Sequence, residues 1–230
     1  MDLVETLRTT GAIREFRAEP VPDEVLYRVL ETARFAPSGG NRQGWRVVVV
    51  HDPAIRREIR DLHLTDWYRY LAMRRHGLVP WAPVTDRDAE ARAVEDAGTV
   101  AAEARAGGGG FAEQLDQIPA MLVVIADLRA LAAVDRDLDR YTFAGGASVY
   151  PFVWNLLLAA RSEGLGGVIT TMPIRREAEM KALLHAPDET AVAALVALGY
   201  PVKHFTRLRR DPVESFVFLD RYDGEPLTGE

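Results

Sequence analysis

The stretch GGASVYPFVWNLLLAARSEG, residues 145–164, limits the fold more than any other part of the chain. Between Val149 and Ala160 only Asn155 is strongly polar, so a helix here has no face that water favours. A helix that is apolar all round is buried, in a core or against another subunit. The apolar part, 145–160, is short for a membrane span, and its flanks are ordinary polar sequence. The rest of the 230 residues must therefore enclose it. A compact fold of that length buries roughly 70–75% of its unfolded surface, which suffices for a real core.

The elements around it alternate irregularly. DEVLYRVLETARF puts Val25, Leu26, Val29, Leu30 and Ala33 on one helical face, with start signals at Pro22 and Asp23. Trp45–Val50 reads as a buried strand, and PAIRREIRDLH as a helix with Pro53 in its first turn. Met121–Ala126, LGGVITT and TAVAALVALG predict further strands, REAEMKALL a short amphipathic helix, and SFVFL a last strand. No βαβ repeat emerges, so the expected class is α+β or mixed α/β. From about 64 to 118 the pattern loosens into aromatics, charges and GGGG at 107–110, and a lid over the rest of a single domain, 1–230, is expected.

Composition removes several function classes. With no cysteine, the chain has no disulfide scaffold, zinc-thiolate site or cysteine nucleophile. A formal charge of −6 argues against non-specific nucleic-acid binding. The N-terminal MDLVETLRTTG lacks a signal-peptide apolar core, so a soluble cytoplasmic protein without membrane association is expected. There is no phosphate-binding G-x-x-x-x-G-K-[ST] and no G-x-S-x-G elbow. The five histidines stand singly, so no metal site is expected. Asp135, Asp137 and Asp139 lack the glycine and distal glutamate of a calcium loop and read as a solvated turn. GGGG reads as a flexible linker.

Four polar clusters remain: the threonines and REF near 8–16, SGGNRQ at 38–43, TTMP at 170–173 and RLRR at 207–210. Together they offer cations, hydroxyls, amides and flexible backbone, as a phosphorylated polar ligand requires. Singly, each also reads as a surface ion pair, a turn or a solvated basic patch.

Three blocks in order resemble the nitroreductase-like flavoprotein family. They are AIREFRAEPVPDEVLYRVLETARFAPSGGNRQGWRVVVVHDP, then NLLLAARSEGLGGVITT, then LGYPVKHFTRLRRDPVESFVF. The resemblance implies the nitroreductase-like α+β fold, a mostly antiparallel central sheet flanked by helices, and a homodimer with FMN at its interface. Carried over by position, it gives Arg14 to the flavin ring or ribityl chain. Ser38, Gly39, Asn41 and Gln43 go to the ring edge and ribityl hydroxyls, and Thr170, Thr171 and Met172 lie beside N5. Arg210, helped by Arg209, goes to the phosphate. The family's first motif carries two basic residues and a serine before its last arginine; here Thr10, Gly11, Ala12 and Ile13 precede Arg14. Arg8 and the Thr9 and Thr10 hydroxyls are the available substitutes. Gly44 stands where relatives commonly have proline.

The implied activity is ping-pong reduction. NADH or NADPH gives hydride to the flavin, and an electron-poor nitroaromatic or quinone-type acceptor then takes it. Flavin carries the redox chemistry, so the one catalytic candidate is Thr171, as a hydrogen bond tuning N5. Trp67, Tyr68, Tyr70 and Trp81 are candidate substrate-stacking groups; ordinary packing of a lid is an equal reading. TTMP also resembles the TTTP of the iodotyrosine deiodinase branch, whose Glu, Tyr and Lys clamp has no convincing counterpart. Reductive dehalogenation, flavin fragmentation and flavin sequestration without turnover stay open as alternatives.

Overall fold

The computed structural model of the protein describes residues 2–229. Helix α1 (Leu3–Thr9) is followed by an irregular segment and α2 (Asp23–Ala33). Next come β1 (Trp45–Val49), the long α3 (Pro53–Arg75), α4 (Arg87–Val94) and α5 (Ala97–Ala106). The chain continues through β2 (Ala120–Asp127), α6 (Tyr150–Ser162), β3 (Gly166–Thr170), α7 (Glu177–Leu184) and β4 (Thr190–Gly199). The four strands form one sheet in the order β1-β2-β4-β3, and every neighbouring pair is antiparallel. The expected α+β class and antiparallel sheet are found.

Strand alternation builds two cores. Leu122, Val124, Val196 and Leu198 face α2 and α6, where Phe152, Val153, Leu156 and Ala160 complete the first core. Met121, Val123, Ile125 and Leu195 face the other way, onto Ile59 of α3 and Met180 of α7. This explains why β2 and β4 are apolar throughout: each is central and covered on both faces. Helix α6 buries Phe152, Val153, Leu156, Leu157, Ala159 and Ala160, while Tyr150 and Trp154 remain about two-fifths exposed. Gly167 in β3 is needed for this packing. A Cβ there would stand 2.6 Å from the Ala197 carbonyl and 2.5 Å from a Leu198 methyl carbon.

Several expectations are corrected. β1 is an edge strand; only Trp45 within it is buried, because one flank has no neighbour and the helices cover it incompletely. SFVFL forms no strand. Among the described residues Phe218 makes only an isolated bridge to Pro226, since the sheet ends elsewhere. The helix starting at Pro53 does not stop near His63 but continues to Arg75, with Tyr68 and Ala72 packing on Val100 and Ala101 of α5. The 64–118 segment is thus mostly helical and has a small core of its own. GGGG is a helix stop, not a free linker. Gly108 and Gly109 take φ of +85° and +72°, and the Gly109 N–H closes onto the Ala104 carbonyl at 2.9 Å.

The entry to α3 is fixed by Asp52, whose carboxylate accepts from the Ala54 and Ile55 N–H groups at 2.7 and 3.3 Å. Asp52→Ala is expected to destabilise the protein by about 1 kcal/mol, read as a shift in the urea midpoint at constant slope.

Candidate active site

Two adjoining clefts open where β3 and β4 meet the N-terminal segment. The Ile13 N–H donates to the Gly167 carbonyl at 2.9 Å, and the Arg17 N–H to the Tyr200 carbonyl at 2.8 Å. The chain between them turns over the sheet end, and Arg14 lies in that turn. Ala12–Glu15 and Lys203–Arg207 enclose a cleft of about 520 Å³. On the other side Arg14–Ala18 and the run Gly109–Pro119 border a second cleft of about 620 Å³, with Gln114 and Gln117 in its wall. Arg14 and Glu15 line both. The first cleft therefore carries Arg14, Lys203 and Arg207 against one carboxylate, and the second carries the Gln114 and Gln117 amides beside Arg14, Arg17 and the same carboxylate. His204, half-buried beside the cations, titrates below its ordinary value, first through burial and then through the Arg161 charge.

Gly11 explains part of the unusual TTGAI segment. A Cβ there would come within 2.7 Å of the Phe205 ring, so the glycine lets the 203–207 loop fold down. The Thr9 and Thr10 hydroxyls donate to the Glu5 and Thr6 carbonyls within α1, at 2.8 and 2.7 Å. Arg8 is exposed on the last turn of α1. Arg209 and Arg210 are exposed and lie outside the lining of both clefts, and Arg210 turns back onto the Arg209 carbonyl at 2.6 Å.

The Ser38–Gln43 turn is at the opposite end of the sheet. The Ser38 hydroxyl accepts from the Gln43 N–H at 3.0 Å and the Ser148 hydroxyl from the Gly39 N–H at 3.0 Å. The Gln43 amide donates to the Asn41 side-chain oxygen at 3.2 Å. Gly40, Asn41 and Gln43 all take positive φ, near +60°, +52° and +49°. Two non-glycine residues held there mark a strained, over-determined turn, the kind that clusters at ligand sites. Gly44 is packed rather than loose. Its carbonyl accepts from the Asp127 N–H at 2.7 Å, and a Cβ would meet that of Ala130 at 2.8 Å.

Asp135, expected in a solvated turn, is buried and organises the neighbouring loop. It accepts from the Thr142 hydroxyl, the Phe143 N–H and Arg140 at 2.6, 2.9 and 2.8 Å. These bonds, Thr142 first, hold its carboxyl well below the usual range. The loop it fixes leads into Ser148, which holds Gly39. Among the described residues no cluster of acidic or histidine side chains could hold a metal, and no helix is long and apolar enough to cross a membrane.

Since β1 and β2 are antiparallel, the Ser38–Gln43 turn sits by Asp127, whereas the Arg14 clefts sit by Pro119 and Ala120. The length of β2 separates them, roughly 25 Å at the usual strand rise. Thr170 pairs with Leu195, part-way between. Thr171 is exposed, Met172 is buried, and the Met172 N–H donates to the Thr170 hydroxyl at 3.4 Å. One chain alone does not bring the four sequence clusters together.

The four aromatic candidates divide. Tyr68 is buried in the small core between α3 and α5. Trp67 stacks on Tyr70 at 5.3 Å, and Tyr70 meets Trp81 at 6.3 Å. Sequence reading missed Lys203, Gln114 and Gln117 in the clefts, and took Arg207 only as the first residue of the RLRR cluster. Lys203 had a signal, being one of two lysines and two residues past Pro201; the glutamines stand in an unpatterned stretch and had none.

The nitroreductase family model matches residues 7–200. An NADH dehydrogenase of Thermus thermophilus is 35% identical over 208 residues, 90% of either chain. The human iodotyrosine deiodinase 1 is 26% identical over 94% of this chain and 68% of its own. The NADPH:FMN oxidoreductase of Vibrio harveyi, solved with NAD+, superposes with a TM-score of 0.61 at 22% identity, covering 95% of this chain and 77% of that one. The match spans the N-terminal turn, both clefts' strand framework and the TTMP turn, and on that extent the chain belongs to the nitroreductase family.

Proposed function

We propose that the protein is an FMN-dependent oxidoreductase that draws electrons from NADH or NADPH and reduces an electron-poor small organic acceptor of the nitroaromatic or quinone type. One observation carries this reading: Arg14 joins a cleft lined by Lys203 and Arg207 to a cleft that adds the Gln114 and Gln117 amides beside Arg17. FMN is a molecule with a dianionic end and a flat, hydrogen-bonding end, and these residue types fit it. When bound, FMN supplies the hydride-accepting and hydride-donating chemistry.

The chain's own residues bind and orient. Lys203 and Arg207 neutralise the phosphate, and Arg14 bridges to the ring system. Gln114 and Gln117 offer amides to the pyrimidine edge. Thr170, Thr171 and Met172 would border the ring, and the exposed Thr171 hydroxyl would be the group that tunes N5. The relatives named NADH dehydrogenase and NADPH:FMN oxidoreductase support the same class.

A homodimer follows from the separation of the clusters. For the strained Ser38–Gln43 turn to touch a flavin in the Arg14 clefts, it must come from a second copy. A two-fold pairing makes two equivalent sites. Apolar surface left uncovered supports such a partner: Tyr150 and Trp154 on α6, and Phe216 and Tyr222 on the C-terminal arm.

The test is fluorescence titration of flavin-free protein with FMN and with riboflavin, alongside sedimentation. The expected result is one FMN per chain in a dimer, with riboflavin bound far more weakly for want of the phosphate. Equal affinity for the two flavins would remove the cation cleft from the account.

A further inference from the structure

Next to the TTMP turn the structure holds an excess of positive charge against an aromatic platform. Asp66, on α3, is almost fully buried. Three guanidiniums converge on its carboxylate: Arg69 at 3.3 Å, Arg175 at 3.2 Å and Arg176 at 3.1 Å. Glu179 takes part of Arg176, at 3.4 Å. Clamping the lid to the body needs one arginine per carboxylate. Here the arginines outnumber the acids they contact, and Arg69 and Arg175 remain about two-fifths exposed. The surplus favours an anion arriving from solvent.

The platform is contiguous with that charge. The Arg175 guanidinium carbon lies 4.1 Å from the centroid of the Trp81 ring, Trp81 meets Tyr70, and Tyr70 stacks on Trp67 with planes 9° apart. Trp81 takes φ of +54°, a conformation that a bulky residue adopts only when its surroundings impose it. Arg175 follows Met172 within the same short helical turn, so the platform adjoins the segment that borders the flavin under the reading above.

We propose that Trp67, Tyr70, Trp81 and Arg175 form the acceptor subsite, and that it selects flat aromatic molecules carrying a carboxylate or comparable anionic oxygen. The ring stacks on the indole platform. The anion takes the free donors of Arg175 and Arg69. This rests on the oxidoreductase reading only for the acceptor's role; the binding preference stands separately.

The test is calorimetric titration of the flavin-loaded protein with 4-nitrobenzoate and with its neutral near-isostere 4-nitrobenzamide. The wild type is expected to bind the benzoate about tenfold more tightly, the effect of one charge-assisted hydrogen bond. Arg175→Gln is expected to abolish that preference, read as the ratio of the two affinities, while Trp81→Leu weakens both probes. Arg69→Gln provides a second charge variant that keeps Arg175 and Arg176 on Asp66; it is expected to reduce the preference. Equal binding of the two probes by the wild type, or a preference intact in both arginine variants, overturns the proposal. Anaerobic reduction by NADH, read on the same preparations, tests the oxidoreductase reading independently of either outcome.

Discussion

The double variant Lys203→Gln, Arg207→Gln is expected to bind FMN about two to four orders of magnitude more weakly than the wild type. Each cation would donate charge-assisted hydrogen bonds to the phosphate, and such bonds contribute about 1.5–3 kcal/mol apiece. Both side chains are exposed in the cleft and hold no part of the core, so the urea midpoint of the flavin-free protein should not move. Riboflavin, lacking the phosphate, should bind the variant and the wild type alike. Salt should mimic the substitutions, weakening FMN in the wild type much more than in the variant. If FMN binds the variant with undiminished affinity, the phosphate lies elsewhere, and the exposed Arg209 and Arg210 become the residues to replace.

The second large effect is on stability. His63 is 1% exposed inside the junction of α3 with the turn before β2, and its neighbouring ring is that of Trp67, 5.8 Å away. Neither ring nitrogen has a hydrogen-bond partner among the described residues. Burial depresses its pKa from 6.5 to about 4, against a smaller opposing pull from the Glu113 carboxylate. The sign follows from where the proton binds. Above pH 6.5 the imidazole is neutral in both states. Between about pH 6.5 and 4 the unfolded chain takes a proton that the folded chain refuses, so stability falls as pH falls. The full loss is about 3 kcal/mol at 1.36 kcal/mol per unit, and it levels off below about pH 4. His63→Leu should flatten that window while leaving stability at pH 7 unchanged or raised, since it removes two unpaired nitrogens. Urea titrations at pH 7, 5.5 and 4 read the difference. A slope that persists in the variant assigns the acid sensitivity to other groups.

The parts of the fold that sequence made legible are those where one local pattern meets one environment. Helix α6 is apolar all round because the sheet and α2 enclose most of it, and β2 and β4 are uniformly apolar because they are central. The Ser38–Gln43 turn was recognisable by surplus polarity, and the structure gives the reason: three positive-φ residues need side-chain hydrogen bonds to hold them. Features set by long-range partners were not legible. The second half of α3 looked irregular because its buried positions are filled by Tyr68 and Ala72 against α5, in a small cluster separate from the main cores. Asp135 looked like solvent-facing charge because its donors arrive from Arg140 through Ala144 only after the loop closes. SFVFL had strand composition but no sheet edge to join. Arg175 carried no motif at all; its meaning comes from Asp66, which lies 109 positions earlier in the chain.

The central claim is that two clefts sharing Arg14 hold a flavin and present it to a nicotinamide donor. The most direct measurement is the visible spectrum of the purified protein, loaded with FMN if needed, before and after NADH and NADPH are added without oxygen. The account predicts a bound flavin band that bleaches on addition of at least one donor and returns when a quinone or nitroaromatic acceptor follows. A protein that binds no FMN contradicts the cofactor site. A bound band that neither nicotinamide bleaches contradicts the oxidoreductase and leaves a flavin-holding protein in its place.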